Sequence, residues 1–151
     1  MPFQQLWIVW GALFVSLFVY GAMPLVLPPP APGTSPPQPI FVGTLAFLGL
    51  VTGIATIVVR RLGLIRPARE GTLDVRTREG AARFFTYSML IWVLSEAVGV
   101  YGLVLFLMHR LPILLYPFLL AAALLLIIHA PRTSSLRPTS VDLARPDIKI
   151  G

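Results

Sequence analysis

Cysteine is absent from the 151 residues, which excludes disulfides, thiol nucleophiles and thiolate metal ligands without identifying a compartment. Charge is scarce: 12% of the residues are Asp, Glu, Lys or Arg, with six acids against twelve bases. There are only two histidines, His109 and His129, and their separation gives no metal constellation. There is also no HExxH motif and no glycine loop of the kind that cradles phosphates. Neither an enzyme nor a bound cofactor or metal is expected.

What the chain has is apolar length. Hydrophobic residues make up 56% and mean hydropathy is +0.83, more apolar surface than a soluble domain of this size can bury. Four runs, Leu6 to Leu27, Ile40 to Val59, Phe84 to Met108 and Ile113 to Ala130, approach the roughly 20 residues that a hydrocarbon core of about 30 Å requires. The expectation is an all-α, polytopic membrane protein with four transmembrane helices. Pro112 suits a first helical turn, whereas Pro117 is expected to kink the fourth helix. Met1 to Gln5 lacks a basic residue and the first run is longer than a signal-peptide core, so it is expected to remain as a helix.

The arginines set the orientation. Arg60, Arg61, Arg66, Arg69, Arg76, Arg78 and Arg83 lie between runs two and three, and Arg132, Arg137, Arg145 and Lys149 follow run four, which leaves only Arg110 elsewhere. The positive-inside rule puts the 60–83 loop, the tail and, for an even number of spans, the N-terminus in the cytoplasm. The expected location is the bacterial inner membrane. Arginines at membrane borders are explained by topology and by attraction to anionic lipid, so the bilayer is the expected partner and nucleic acid is not.

The chain divides accordingly: helix one over 1–27, a Pro-rich external linker over 28–39, a hairpin over 40–108 containing the 60–83 loop, helix four over 109–130, and a flexible tail over 131–151. The linker is too proline-rich for helix and reads as an extended spacer. In the loop, Gly63, Pro67 and Gly71 predict turns, and Thr77 to Arg83 can extend helix three. Trp7, Trp10, Tyr87 and Tyr116 read as interfacial anchors.

Helices two and three carry faces of small residues. At about 100° per residue, Gly43, Ala46, Gly49, Gly53 and Thr56 share one side of helix two, and Ser88, Ser95, Gly99 and Gly102 form a narrower stripe on helix three. Small faces let backbones approach closely in lipid, so these two helices are expected to pack as an antiparallel hairpin.

Glu96 is the thirteenth of twenty-five residues in the otherwise uncharged stretch Phe84 to Met108. An ionised acid at such depth costs roughly 2.5–3.5 kcal/mol on insertion scales, so the neutral form is favoured and the residue is a candidate ion or proton carrier. Glu96 borders the small stripe, and helix three supplies no counter-ion. Any basic partner must therefore come from another chain or from the interface. No second intramembrane acid is present to form an acid/base pair.

The string Leu94-Ser95-Glu96-Ala97-Val98-Gly99-Val100-Tyr101-Gly102-Leu103-Val104 resembles the ion-carrying helix of subunit c, the rotor-ring proteolipid of rotary ATP synthases. The match rests on Glu96, Ala97, Tyr101, Gly102 and Leu103, with a loose echo of the family's loop in Arg66-Pro67, and covers about residues 40–108. The resemblance implies a c-like hairpin, ion binding at Glu96 with Ser95 and Tyr101, and a homo-oligomer or larger membrane complex. Sodium-carrying members have a hydroxyl residue after the acid; Ala97 stands there, which favours protons. The chain departs from the family in its sparser glycines, longer loop and added helices one and four, which would block a stator contact if they packed outside Glu96. Two readings result: a c-like subunit that binds and releases protons at Glu96, and an accessory or structural subunit in which protonated Glu96 serves helix packing.

Overall fold

The computed structural model describes residues 3–30, 36–73 and 77–131. The central part of the linker, residues 74–76 of the loop and the tail from Arg132 onward lie outside the described residues, so the flexible-tail expectation is not addressed there. All regular structure among the described residues is helical: α1 (Phe3–Val26), α2 (Pro39–Arg60), a π-helical turn (Arg61–Ile65), α3 (Arg66–Arg69), α4 (Arg78–His109) and α5 (Pro112–Ile128).

The boundaries follow local chemistry. Proline opens α2 and α5, where its missing N–H has no intrahelical partner. Thr77 caps α4, its hydroxyl accepting from the Gly80 amide at 3.1 Å, with Glu79 in the first turn. At the other end Arg110 takes the left-handed conformation, φ 56°, and its amide donates to the Phe106 carbonyl at 2.6 Å. Only Leu111 then separates it from α5, which forces α5 back along α4. Pro117 lies within α5.

The loop is more helical than its glycines and proline predict. Helix continues from Pro39 to Arg69, 31 residues, and of Gly63, Pro67 and Gly71 only Gly71, φ 69°, makes a turn. Pro67 lies in α3 directly after the π turn, inside this continuous helix. Gly63 lies in the π turn because a ring needs the space: a Cβ there would stand 2.3 Å from the Tyr87 ring.

Three helices are long and apolar enough to cross a membrane; α5, at 17 residues, is shorter. In the most apolar stretch of α1 and of α2 only 11% of residues are buried, against 44% in α4. Leu25, Ile40, Phe47 and Ile54 are among many large side chains left exposed, as hydrocarbon solvent allows and water does not. The chain is thus an all-helical protein with the character of an integral membrane protein, and α4 is its central post. Trp92, Phe106, Ile91 and Leu105 of α4 are fully buried with Leu115 and Leu126 of α5.

The C-terminal carbonyls of α5 would be orphaned in an apolar setting. The Trp10 indole donates to the Leu126 carbonyl at 3.0 Å and the Trp92 indole to that of His129 at 2.8 Å. His129 Nδ1 lies 2.6 Å from the Leu125 carbonyl, an acceptor only, so Nδ1 carries the proton. Trp10 is thereby a structural donor as well as a border aromatic, and Tyr87 packs on Gly63, whereas Trp7 and Tyr116 are exposed.

In the hairpin expectation, the contact between the two small faces needs correction. α2 does pack along α4, but the two small faces do not meet each other. Gly102 receives Phe118 and the Leu115 carbonyl of α5, and Gly99 receives Leu17 of α1 with Ala122 and Leu119 of α5. On α2, Gly49 meets Phe118 of α5 at 3.2 Å and the Tyr101 ring of α4 at 3.8 Å, and Gly53 meets Leu125 at 3.8 Å, while Gly43 has nothing within 4 Å. The short α4–α5 turn holds α5 beside α4, and its large side chains fill the grooves on both helices.

Candidate functional site

The half-buried Glu96 faces α1. Ser16 Oγ lies 2.5 Å and Tyr20 Oη 3.0 Å from the same carboxyl oxygen, Oε1. These two hydroxyls are four residues apart, hence on one face of α1. They reach the acid because α1 comes close: the Leu17 side chain lies where only a glycine leaves room, and a Cβ on Gly99 would stand 2.8 Å from Leu17 Cδ2. Gly99, one turn beyond Glu96, therefore sets the distance at which the hydroxyls meet the carboxyl.

Ser16 has a second acceptor. Its Oγ lies 2.7 Å from the Leu13 carbonyl oxygen, and a hydroxyl carries one proton while a backbone carbonyl carries none to give. Two hydrogen-bond arrangements fit the same heavy atoms. With Glu96 ionised, Ser16 and Tyr20 both donate to Oε1. With a proton on Oε1, Glu96 donates to Ser16 Oγ and Ser16 donates to the Leu13 carbonyl. Gain or loss of a proton is accommodated by rotating one hydroxyl, without moving a helix.

The other site residues named from the sequence lie elsewhere. Ser95 is fully buried and donates to the Ile91 carbonyl of its own helix at 2.8 Å. Tyr101 Oη lies 3.4 Å from Thr52 Oγ1, joining α4 to α2. Of the three, only Glu96 stands at the carboxyl site. Within this chain the groups at the carboxyl are the neutral hydroxyls of Ser16 and Tyr20.

No family model, curated protein or solved structure matches this chain. The functional argument therefore rests on the carboxyl and its surroundings. Among the described residues no three His, Cys, Asp or Glu side chains gather to hold a metal ion.

Ser16 and Tyr20 had a readable signal. They are the only hydroxyl residues in the run Leu6 to Leu27, and Ser16 is the eleventh of its twenty-two residues. A polar pair on one face at mid-run matches the depth of Glu96, provided helices one and three are neighbours. That adjacency is the missing link, since the resemblance directs attention to helix two.

Proposed function

We propose that this chain is a four-span integral membrane protein, with both termini and the 60–83 loop cytoplasmic, in which Glu96 binds and releases a proton. The observation that carries this reading is the convergence of Ser16 and Tyr20 on Oε1, with the Leu13 carbonyl placed to accept a hydrogen bond from Ser16. An acid at mid-span needs partners that serve its charged and neutral forms alike. Hydroxyls, which donate and accept, do this; an arginine would lock the charged form. The c-like string around Glu96 supports the same residue and the same ion. The place of α1 argues against a rotating ring, because it occupies a side of the acid that a stator would need. A c-like subunit working in an oligomer or in a larger membrane complex fits better.

A second reading has its own support. Both donors belong to this chain and Leu17 is seated on Gly99, so the carboxyl also clamps α1 to α4, as an accessory subunit would use it. Proton flux into vesicles reconstituted with the protein, or with the complex it co-purifies in, separates the two. Glu96→Gln keeps shape and hydrogen bonding but cannot exchange the proton, and is expected to abolish flux while leaving assembly intact. Undiminished flux in the Gln variant would overturn proton exchange; assembly lost in Glu96→Leu, with Gln silent throughout, is the signature of the clamp.

A further inference from the structure

Beyond Arg60 the helix divides sharply into two sides. Gly63 and Pro67 are buried on the side that meets Tyr87. Arg61, Leu62, Ile65, Arg66, Arg69 and Glu70, all exposed, line a shallow open cleft of about 360 Å³ along this stretch of helix. Three guanidiniums face one carboxylate, a net charge of +2. Glu70 is engaged by Arg66 Nε at 2.7 Å, which orients that guanidinium and leaves Arg61 and Arg69 to act on a ligand.

The cleft is also the end of an apolar track. At about 100° per residue Phe47, Val51, Ile54 and Val58 lie on one side of α2, all exposed, and that side leads into Arg61 and Leu62 at the start of the π turn. Phe47 to Val58 rises about 16 Å at 1.5 Å per residue, close to half of a hydrocarbon core of about 30 Å. The occupant must therefore be anionic at one end and apolar for the depth of one leaflet.

We propose that this cleft holds the headgroup phosphate of an anionic phospholipid whose acyl chains lie along the Phe47 to Val58 side of α2. Guanidinium forks match phosphate oxygens in bidentate geometry. A zwitterionic headgroup brings its own cation into a cleft that is already positive, so the site discriminates against phosphatidylcholine. The assignment is independent of what Glu96 does.

The test uses the full chain purified in detergent, with native mass spectrometry reading the lipid retained. Phosphatidylglycerol and phosphatidylcholine with identical acyl chains are compared. Phosphatidylglycerol is expected to be retained on the order of tenfold better, and the Arg61→Gln/Arg69→Gln double variant to lose that advantage. Arg61→Lys/Arg69→Lys should keep most of it, and Arg78→Gln/Arg83→Gln, which removes equal charge from α4, should keep all of it. Excess inorganic phosphate should not displace the lipid. Equal retention of both lipids, equal loss in the two Gln double variants, or displacement by inorganic phosphate would each overturn the proposal. Helical content by circular dichroism accompanies every variant. If the Gln double variant loses it, Arg69→Gln alone takes its place, with an expected loss of about threefold to tenfold.

Discussion

Around Glu96 one carboxyl oxygen, two hydroxyls and one backbone carbonyl share fewer protons than there are acceptors. Removing either hydroxyl therefore does more than delete a contact. Hydrogen bonds between helices in lipid are worth about 0.6 kcal/mol on average and up to about 1.7. Tyr20→Phe and Ser16→Ala are each expected to destabilise the bundle within that range, read as a shift in unfolding midpoint in detergent. Their effects on the protonation of Glu96 differ. Tyr20 only donates to the carboxyl, so Tyr20→Phe disfavours the charged form and should increase labelling by a hydrophobic carbodiimide, which attacks the protonated acid. Ser16 serves both forms, so Ser16→Ala should change labelling less than Tyr20→Phe does, and Glu96→Gln should remove it. Equal labelling of the wild type and Tyr20→Phe across pH would mean that the 3.0 Å contact has no influence on the proton. The acid itself was visible in the sequence because it interrupts an uncharged run. Its partners were not, because Ser95 and Tyr101 are near in sequence yet point about 100° and 140° away from Glu96 on the helix.

Among the helices, glycines mark where a neighbour has taken the space of a side chain. At Gly102 a Cβ would lie 2.5 Å from Phe118 Cβ and 3.0 Å from the Leu115 carbonyl oxygen. The Cβ of Phe118 and a backbone oxygen cannot swing aside, so Gly102→Ala is expected to cost about 1–3 kcal/mol, the usual penalty of overpacking. Gly43→Ala, with nothing within 4 Å, should be neutral or slightly stabilising, because alanine is the better helix former. Thermal unfolding of the two variants in one detergent gives the comparison, and equal midpoints would remove the argument. Most of the element layout was legible in advance: the long apolar runs, the proline at the start of α5, and the Thr77 to Arg83 extension all follow from local rules. The pairing of small faces was not, since a glycine stripe shows that something approaches but not what. Phe118, one large residue on the shortest helix, reaches both Gly49 and Gly102. The loop was misread for a related reason: Gly63 reads as a breaker until Tyr87 is seen lying against it.

For the molecule as a whole, the side-chain contacts tie the direction of every long helix to the charge pattern. Trp10, near the start of α1, bonds Leu126 near the end of α5, and Trp92 in α4 bonds the carbonyl just past that end. Gly63 and Tyr87 bring the end of α2 and the start of α4 to the same level. The start of α1, the end of α2, the start of α4 and the end of α5 therefore point toward one end of the bundle, and the end of α2 and the start of α4 carry Arg60, Arg61, Arg66, Arg69, Arg78 and Arg83 there. A bilayer around this bundle puts those arginines on one side and Arg110 on the other, the asymmetry that orients helices in insertion. α5 is the shortest of the apolar helices, about 26 Å at 1.5 Å per residue, and its end lies beside Trp92, midway along α4. Reporter fusions in the linker near residue 33 and in the loop near residue 75 should report opposite faces, and a fusion after residue 131 should agree with the loop. Agreement of the last fusion with the linker would mean that α5 does not cross, leaving three spans and an external C-terminus. The first two fusions agreeing with each other would mean that α2 does not cross, and the depth match between Ser16 and Glu96 would then lose its meaning.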